Sequence, residues 1–349
     1  MPRSLILYGS FARGEGSIVP TPSGPRFLSD IELGCVTADP RAVIRMATAR
    51  SVIERATPVD VTLAWLLPSR LTQLGCSNWE ITHGRLSLEQ YDLLMGSRLL
   101  AGRPSPRVPD DLLTPRGIQQ WDGLRLMLNR VAETVSYICS PTHTISTTQS
   151  KLAKLMTACA DALLLMNGEY HHLARRRLES LVAGRLHSLL QPEAQELLEG
   201  AYRWRLSPSD SHLLSCQLDE IVATVLQPSL AIVLKTISRQ SHVESGQLSE
   251  AYLSMDCLDS LCRVYPGHPL AQSAVIAAKS RRRCHSGGTP LWRQVHIAYA
   301  GAMDWLLQNA SQVRISYAGL EEHVSGLAPD ARQHGYVLAD RCITLARCV

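Results

Sequence analysis

Phenylalanine is nearly missing from this chain: two residues among 349, beside six Trp and ten Tyr. So few flat side chains argue against a track of stacked bases for single-stranded nucleic acid. No apolar stretch approaches the roughly 20 residues of a membrane-spanning helix; Ala-Ile-Val-Leu at 231–234 and Ala-Val-Ile-Ala-Ala at 274–278 are far shorter. No apolar segment followed by a small-residue cleavage site opens the chain, so a cytoplasmic location is expected, with no membrane partner. A C-x-x-C pair is also missing. The ten cysteines, Cys35, Cys76, Cys139, Cys159, Cys216, Cys257, Cys262, Cys284, Cys342 and Cys348, read as buried reduced thiols. Cys284-His285 beside Cys257 and Cys262 fits no common zinc spacing. Nor does one sign of charge dominate. A formal net charge of +4 is too small for a nucleic-acid coat, although it leaves room for a local basic groove.

With 45% apolar and 19% charged residues, the composition is that of a globular protein with more than one core. Residues 5–8, 31–36 and 59–65 read as strands. Between the second and third, Asp39 can cap a helix whose first position is Pro40. An amphipathic helix is expected over 87–101. The proline-rich segment Gly102-Arg-Pro-Ser-Pro-Arg-Val-Pro then breaks it. The expected division is therefore an α/β (α+β) domain over 1–108 with a small mixed sheet, followed by an all-helical region over 109–349 with room for a further division at 205–215. In that region helices are expected at 115–139, 149–167, 170–188, 192–204, 215–238, 247–264, 269–283, 290–309 and 328–347. No internal repeat is visible.

Chemistry concentrates near the N-terminus. Tyr8-Gly9-Ser10-Phe11-Ala12-Arg13-Gly14-Glu15-Gly16 places a glycine-serine turn between a strand and a helix, where backbone N–H groups and a hydroxyl can approach phosphate. Ser29-Asp30-Ile31-Glu32-Leu33 puts two carboxylates on one strand face, two residues apart, an invitation to a divalent cation. Pro58-Val59-Asp60-Val61-Thr62-Leu63 supplies a third acid in a strand context.

This constellation resembles the signature of the polymerase-β-like nucleotidyltransferase superfamily. The resemblance implies that Asp30, Glu32 and Asp60 hold two Mg2+ ions, that Gly9, Ser10 and Arg13 meet the triphosphate, and that Asp60 takes a proton from the acceptor hydroxyl. The sequence departs from the common pattern in two ways. The segment between Ser10 and Asp30 is longer, which suggests a proline-rich loop acting as a substrate lid, and Glu32 stands where Asp is frequent.

A second, looser resemblance covers 123–130 and 151–170, which look like the helical domain of aminoglycoside-type nucleotidyltransferases. It implies that Lys151 or Lys154 meets the triphosphate and that Asp161 and Tyr170 face the acceptor. His171-His172 and Arg175-Arg176-Arg177 read instead as a helix start and a solvated face, and Lys279-Ser-Arg-Arg-Arg283 as a charged helix end. The implied activity is transfer of AMP from ATP to a hydroxyl of a small molecule such as an aminoglycoside or a sugar-like metabolite. The alternatives are an antitoxin-type or protein-AMPylating nucleotidyltransferase and a nucleotide second-messenger synthase. The Arg-to-His spacings of the ribonuclease partners of antitoxin-type proteins, sought at Arg263 and His268 and at Arg205 and His212, are interrupted by Pro266-Gly267 and Pro208.

Overall fold

A computed structural model describes residues 4–21, 24–39, 41–57, 59–66, 86–103, 113–140, 145–208, 217–238, 243–254, 291–316 and 323–346. The chain forms two compact units. The first comprises Met1–Asp122, Asn167–Arg185 and Tyr202–Leu213; the second comprises Gly123–Met166, Leu186–Ala201 and Leu214–Val349. The units interleave along the sequence, unlike the expected division at 108.

The first unit is built on a four-stranded mixed sheet of β1 (Ser4–Tyr8), β4 (Ile31–Val36), β5 (Val61–Leu66) and β6 (Arg98–Gly102), in the order β5-β4-β1-β6. β1 runs antiparallel to both β4 and β6, whereas β4 and β5 are parallel. The parallel pair requires a crossover, supplied by α2 (Arg41–Ala56). The Arg41 N–H donates to the Asp39 carboxylate at 3.0 Å, as a helix start requires.

The register arranges one face of the sheet in rows. Tyr8, Glu32 and Thr62 lie side by side, then Ile6, Gly34 and Ala64, then Ser4, Val36 and Leu66. Ile6, Val36 and Leu66 form a small core with Leu93 of α3 (Leu88–Gly96), while the first row is polar. Gly34 makes this closure possible: a Cβ there would sit 2.6 Å from a Leu66 methyl and 2.9 Å from Ile6.

α3 starts with a capping box. Ser87 Oγ accepts from the Gln90 N–H, and Gln90 Oε1 accepts from the Ser87 N–H. The helix expected over 87–101 ends early, at Gly96, and its remainder is β6. Every side chain of β6 is exposed, so its place is held by backbone pairing. Pairing with β1 satisfies backbone groups that an open strand edge would leave bare. The insertion after Ser10, expected as a loop, contains a hairpin of β2 (Ile18–Thr21) and β3 (Gly24–Phe27). Ser17 closes its base: Leu28 N–H donates to the Ser17 carbonyl at 2.9 Å, and Ser17 N–H donates to Ser29 Oγ at 3.0 Å.

α6 (Ala174–Val182) completes the first unit, while α7 (Pro192–Leu206) contributes residues to both units. The second unit is helical, with α4 (Trp121–Cys139, from Gly123), α5 (Ile145–Met166), α8 (Leu218–Ile237), α9 (Leu248–Leu253), α10 (Leu291–Asn309) and α11 (Pro329–Ala346). From Leu152 to Leu165 every α5 residue except Lys154 is buried, the pattern of a central helix. α8 carries a π turn over Val222–Leu226 just before Pro228. Proline has no N–H and crowds the preceding turn, and the wider turn relieves both problems. A short hairpin, β7 (Arg314–Ser316) with β8 (His323–Ser325), was not expected.

Among the described residues α8 alone is long and apolar enough to cross a membrane. Its buried Leu218, Ile221, Val222, Val225, Leu226, Leu230, Val233 and Leu234 fall at helical spacing, as in a core helix. The helix expected at 269–283, the Cys257, Cys262, Cys284 and His285 group, the basic run at 279–283 and both Arg-to-His spacings involve positions outside the described residues.

Candidate active site

Gly9 ends β1 and begins a single turn of helix, Gly9–Ala12, with φ +71°. That value is costly for any residue with a Cβ. Close approach is the second reason for glycine: a Cβ at this position would lie 1.5 Å from Glu32 Oε2. The Glu32 carboxylate therefore lies over the elbow backbone, at the expected phosphate end of the turn. Ser10 follows, partly exposed.

Asp30 and Asp60 stand just ahead of the paired strands. The parallel register matches Ile31 with Val61, and the Ile31 N–H donates to the Asp60 carbonyl at 2.8 Å. Alternation assigns Asp30, Glu32, Asp60 and Thr62 to the same face. Thr62 Oγ1 donates to Asp30 Oδ2 at 2.7 Å, which orients that carboxylate. Asp60 is exposed. Among the described residues no three His, Cys, Asp or Glu side chains are grouped as a closed metal cage, so the three acids share a face without converging on one point.

Two residues to which the sequence reading gave no role also belong here. Burial first, then the charges of Glu32, Glu89 and Asp30, hold the Tyr8 phenol well above its ordinary range. The influences that shift it are thus burial and three carboxylates. Glu89 sits in the first turn of α3, where a carboxylate suits the helix dipole. Only the strand pairing and the α3 packing bring Glu89 to the strand end, and no spacing in the sequence signals that.

Three expected binding residues are placed differently. Arg13, expected at the nucleotide, is 9% exposed, with Nε 3.5 Å from Glu15 and Nη1 4.0 Å from Asp92. Tyr170 is 2% exposed, and its hydroxyl donates to Asp92 at 3.1 Å and accepts from Arg177 Nη1 at 2.6 Å. Both serve the interior of the first unit, because a buried charge needs an opposite partner more than an exposed one does. Arg177, expected on a solvated face, is buried against the rings of Tyr170 and Tyr202. Asp161 lies in the innermost helix of the second unit, 6% exposed.

Lys151 and Lys154 belong to the second unit. Lys151 Nζ lies 3.4 Å from Glu133 Oε2, and Arg130 Nη1 donates to both oxygens of the same carboxylate. Burial pushes the Glu133 carboxyl up, but Arg130, Lys151 and Lys154 outweigh it and hold it below its ordinary value. Three cations thus act on this one carboxylate.

Hard oxygen ligands without thiol or imidazole suit Mg2+ rather than zinc. Asp30, Glu32 and Asp60 offer oxygens of that kind on one face, without forming a closed cage. Compared with protein-family models, with curated proteins and with solved structures, the chain finds no match.

Proposed function

We propose that this protein is a Mg2+-dependent nucleotidyltransferase that moves AMP from ATP to a hydroxyl of a small molecule, with its catalytic domain formed by the first unit. The observation that supports the reading best is the Glu32 carboxylate lying over a positive-φ Gly9, beside Asp30 on the same strand face. A strand-to-helix elbow that offers backbone N–H groups next to hard anionic oxygens suits a metal-bound triphosphate.

Asp30, Glu32 and Asp60 are the residues that would hold the metal, and binding it would have to draw together three carboxylates that share a face without converging here. When bound, Mg2+ supplies charge neutralisation at the phosphates and a more acidic acceptor hydroxyl. Gly9 and Ser10 offer N–H groups to phosphate oxygens. Thr62 fixes the Asp30 carboxylate, so the acid is oriented before substrate arrives. The acceptor oxygen bonds to the α-phosphorus as the bond to the bridging oxygen breaks, and pyrophosphate leaves. The exposed Asp60 takes the acceptor proton. A reducing, cytoplasmic setting accords with the free thiols of Cys35, Cys139, Cys159 and Cys342.

The test is turnover of labelled ATP with Mg2+ and a panel of small polyhydroxylated and amino-sugar acceptors, read as pyrophosphate release and labelled product. Asp30→Ala/Glu32→Ala should abolish release while circular dichroism stays unchanged. Equal turnover in the two folded proteins overturns the assignment. Label on a protein band, or in a cyclic or linked nucleotide, redirects it to the AMPylating or messenger-forming alternative.

A further inference from the structure

A single helical turn has almost no stability of its own, because nucleation fixes several residues for one hydrogen bond. The elbow helix Gly9–Ala12 is that short, so tertiary contacts must hold it. Glu15 closes the loop behind it: its N–H donates to the Ser10 carbonyl at 2.9 Å, and the Gly14 N–H donates to the Phe11 carbonyl at 3.1 Å.

The Glu15 side chain, 10% exposed, reaches the start of α6. Its Oε2 accepts from the Ala174 N–H at 3.0 Å and its Oε1 from the Arg175 N–H at 3.2 Å. Two otherwise orphaned helix donors are thereby satisfied by one carboxylate at the positive end of the helix. Behind Glu15 the network continues through Arg13 to Asp92, then to Tyr170 and Arg177. Arg13 also packs on Gly96 at the end of α3, where a Cβ would come within 3.1 Å of its chain. Two guanidinium groups and two carboxylates balance in charge, which offsets part of the cost of taking them out of water.

We propose that Glu15 is a positioning residue for nucleotidyl transfer: gripped by the N-terminus of α6, it fixes the loop from Ser10 to Gly16 and with it the orientation of the elbow N–H groups toward phosphate. α6 is then part of the nucleotide site despite its distance along the chain. The consequence for catalysis rests on the function proposed above; the geometry of the clamp does not.

The experiment compares the full chain with Glu15→Gln, with Tyr170→Phe as a milder break in the same network, and with Glu179→Gln on the exposed side of α6, where Glu179 pairs with Arg176 on the surface. Hydrogen exchange of the amides at 9–16 is measured together with ATP turnover in Mg2+. Charge-assisted hydrogen bonds of this kind are strong enough that Glu15→Gln should raise exchange at 9–16 and the KM for ATP by about tenfold, with kcat changed less. Tyr170→Phe should show the same pattern at smaller size, and Glu179→Gln neither change. Unchanged exchange at 9–16, or a rise spread evenly over α4 and α5, overturns the clamp. Wild-type turnover with an unaltered KM in Glu15→Gln overturns its positioning role and leaves the enzyme standing. A wild type that transfers nothing while Glu15→Gln still loosens 9–16 overturns the enzyme and leaves the clamp.

Discussion

Replacing Gly9 by alanine separates the two things this glycine does. Its φ of +71° costs an L-residue roughly 1–2 kcal/mol. Gly14 has nearly the same backbone, φ +72°, and nothing within 4 Å of a Cβ placed there. Gly9→Ala and Gly14→Ala should therefore lose similar stability from the backbone alone. They differ at Glu32, whose Oε2 lies 1.5 Å and Cδ 2.5 Å from the Gly9 Cβ position. The obstructing atoms are the end of a flexible side chain, so a rotamer change relieves the clash for about 1 kcal/mol. That change carries the carboxylate off the elbow. Misplacing a reacting group by an ångström costs on the order of 100-fold in rate. Unfolding free energies from urea titration should thus differ by no more than about 1 kcal/mol between the variants, while pyrophosphate release falls on the order of 100-fold in Gly9→Ala and much less in Gly14→Ala. Equal release by the two variants would refute the placement of Glu32 as a working ligand.

Acid should destabilise both units. Burial holds His296, set against the Tyr252 hydroxyl, down to about 4. His172 is also held down to about 4, by burial and then by His171, Arg13 and Arg177, with Glu15 opposing. Below the ordinary 6.5 the unfolded chain takes up protons that these folded imidazoles refuse, so stability is full above 6.5 and drains as pH falls toward 4. Urea midpoints that stay level between those limits would contradict this. Gly335→Ala should cost about 1–3 kcal/mol by overpacking, because its Cβ would lie 2.5 Å from Trp305 and 2.6 Å from Cys139 Sγ. Gly246→Ala, with open space at the same position, should cost little in the same urea titration. Burial pushes Cys139, Cys159 and Cys342 up to about 12, so peptide mapping after alkylation at neutral pH should find them unmodified in the native protein and labelled in urea.

The local parts of the fold were legible. β1, β4 and the α2 crossover follow from alternation, an Asp cap and helical spacing, all set by near neighbours in sequence. β6 was not, because Arg-Leu-Leu-Ala continues a helical pattern and becomes strand only when β1 offers an open edge. The hairpin after Ser17 was read as a loop because its prolines suggest irregular backbone, although Pro20 and Pro25 sit opposite each other in the ladder. The break at 108 was read from composition. The compact units follow contacts instead: Asp122 accepts from the Leu88 N–H at 2.6 Å, and Ser17 Oγ donates to the Arg205 carbonyl at 2.6 Å. Bonds of that sequence separation leave no periodic trace.

The candidate site divides along the same line. Asp30 and Glu32 could be placed on one face from a two-residue spacing, since a strand has no other option. Arg13, Tyr170 and Arg177 could not be placed, because a charged residue is usually solvated unless a partner waits for it in the interior, and the group that ties this network to the interior, Asp92, comes from the remote α3. The polar row and the apolar rows behind it depend on one another. Gly34 lets Ile6 and Leu66 close over β4, Leu93 seats α3 on them, and α3 brings its first-turn Glu89 to the strand end beside Tyr8. The dry end of the sheet thus sets the electrostatics of the wet end: the charges of Glu32, Glu89 and Asp30 all act on the Tyr8 phenol, and the packing that seats α3 lies two residues away on β1 and four on β4 and β5.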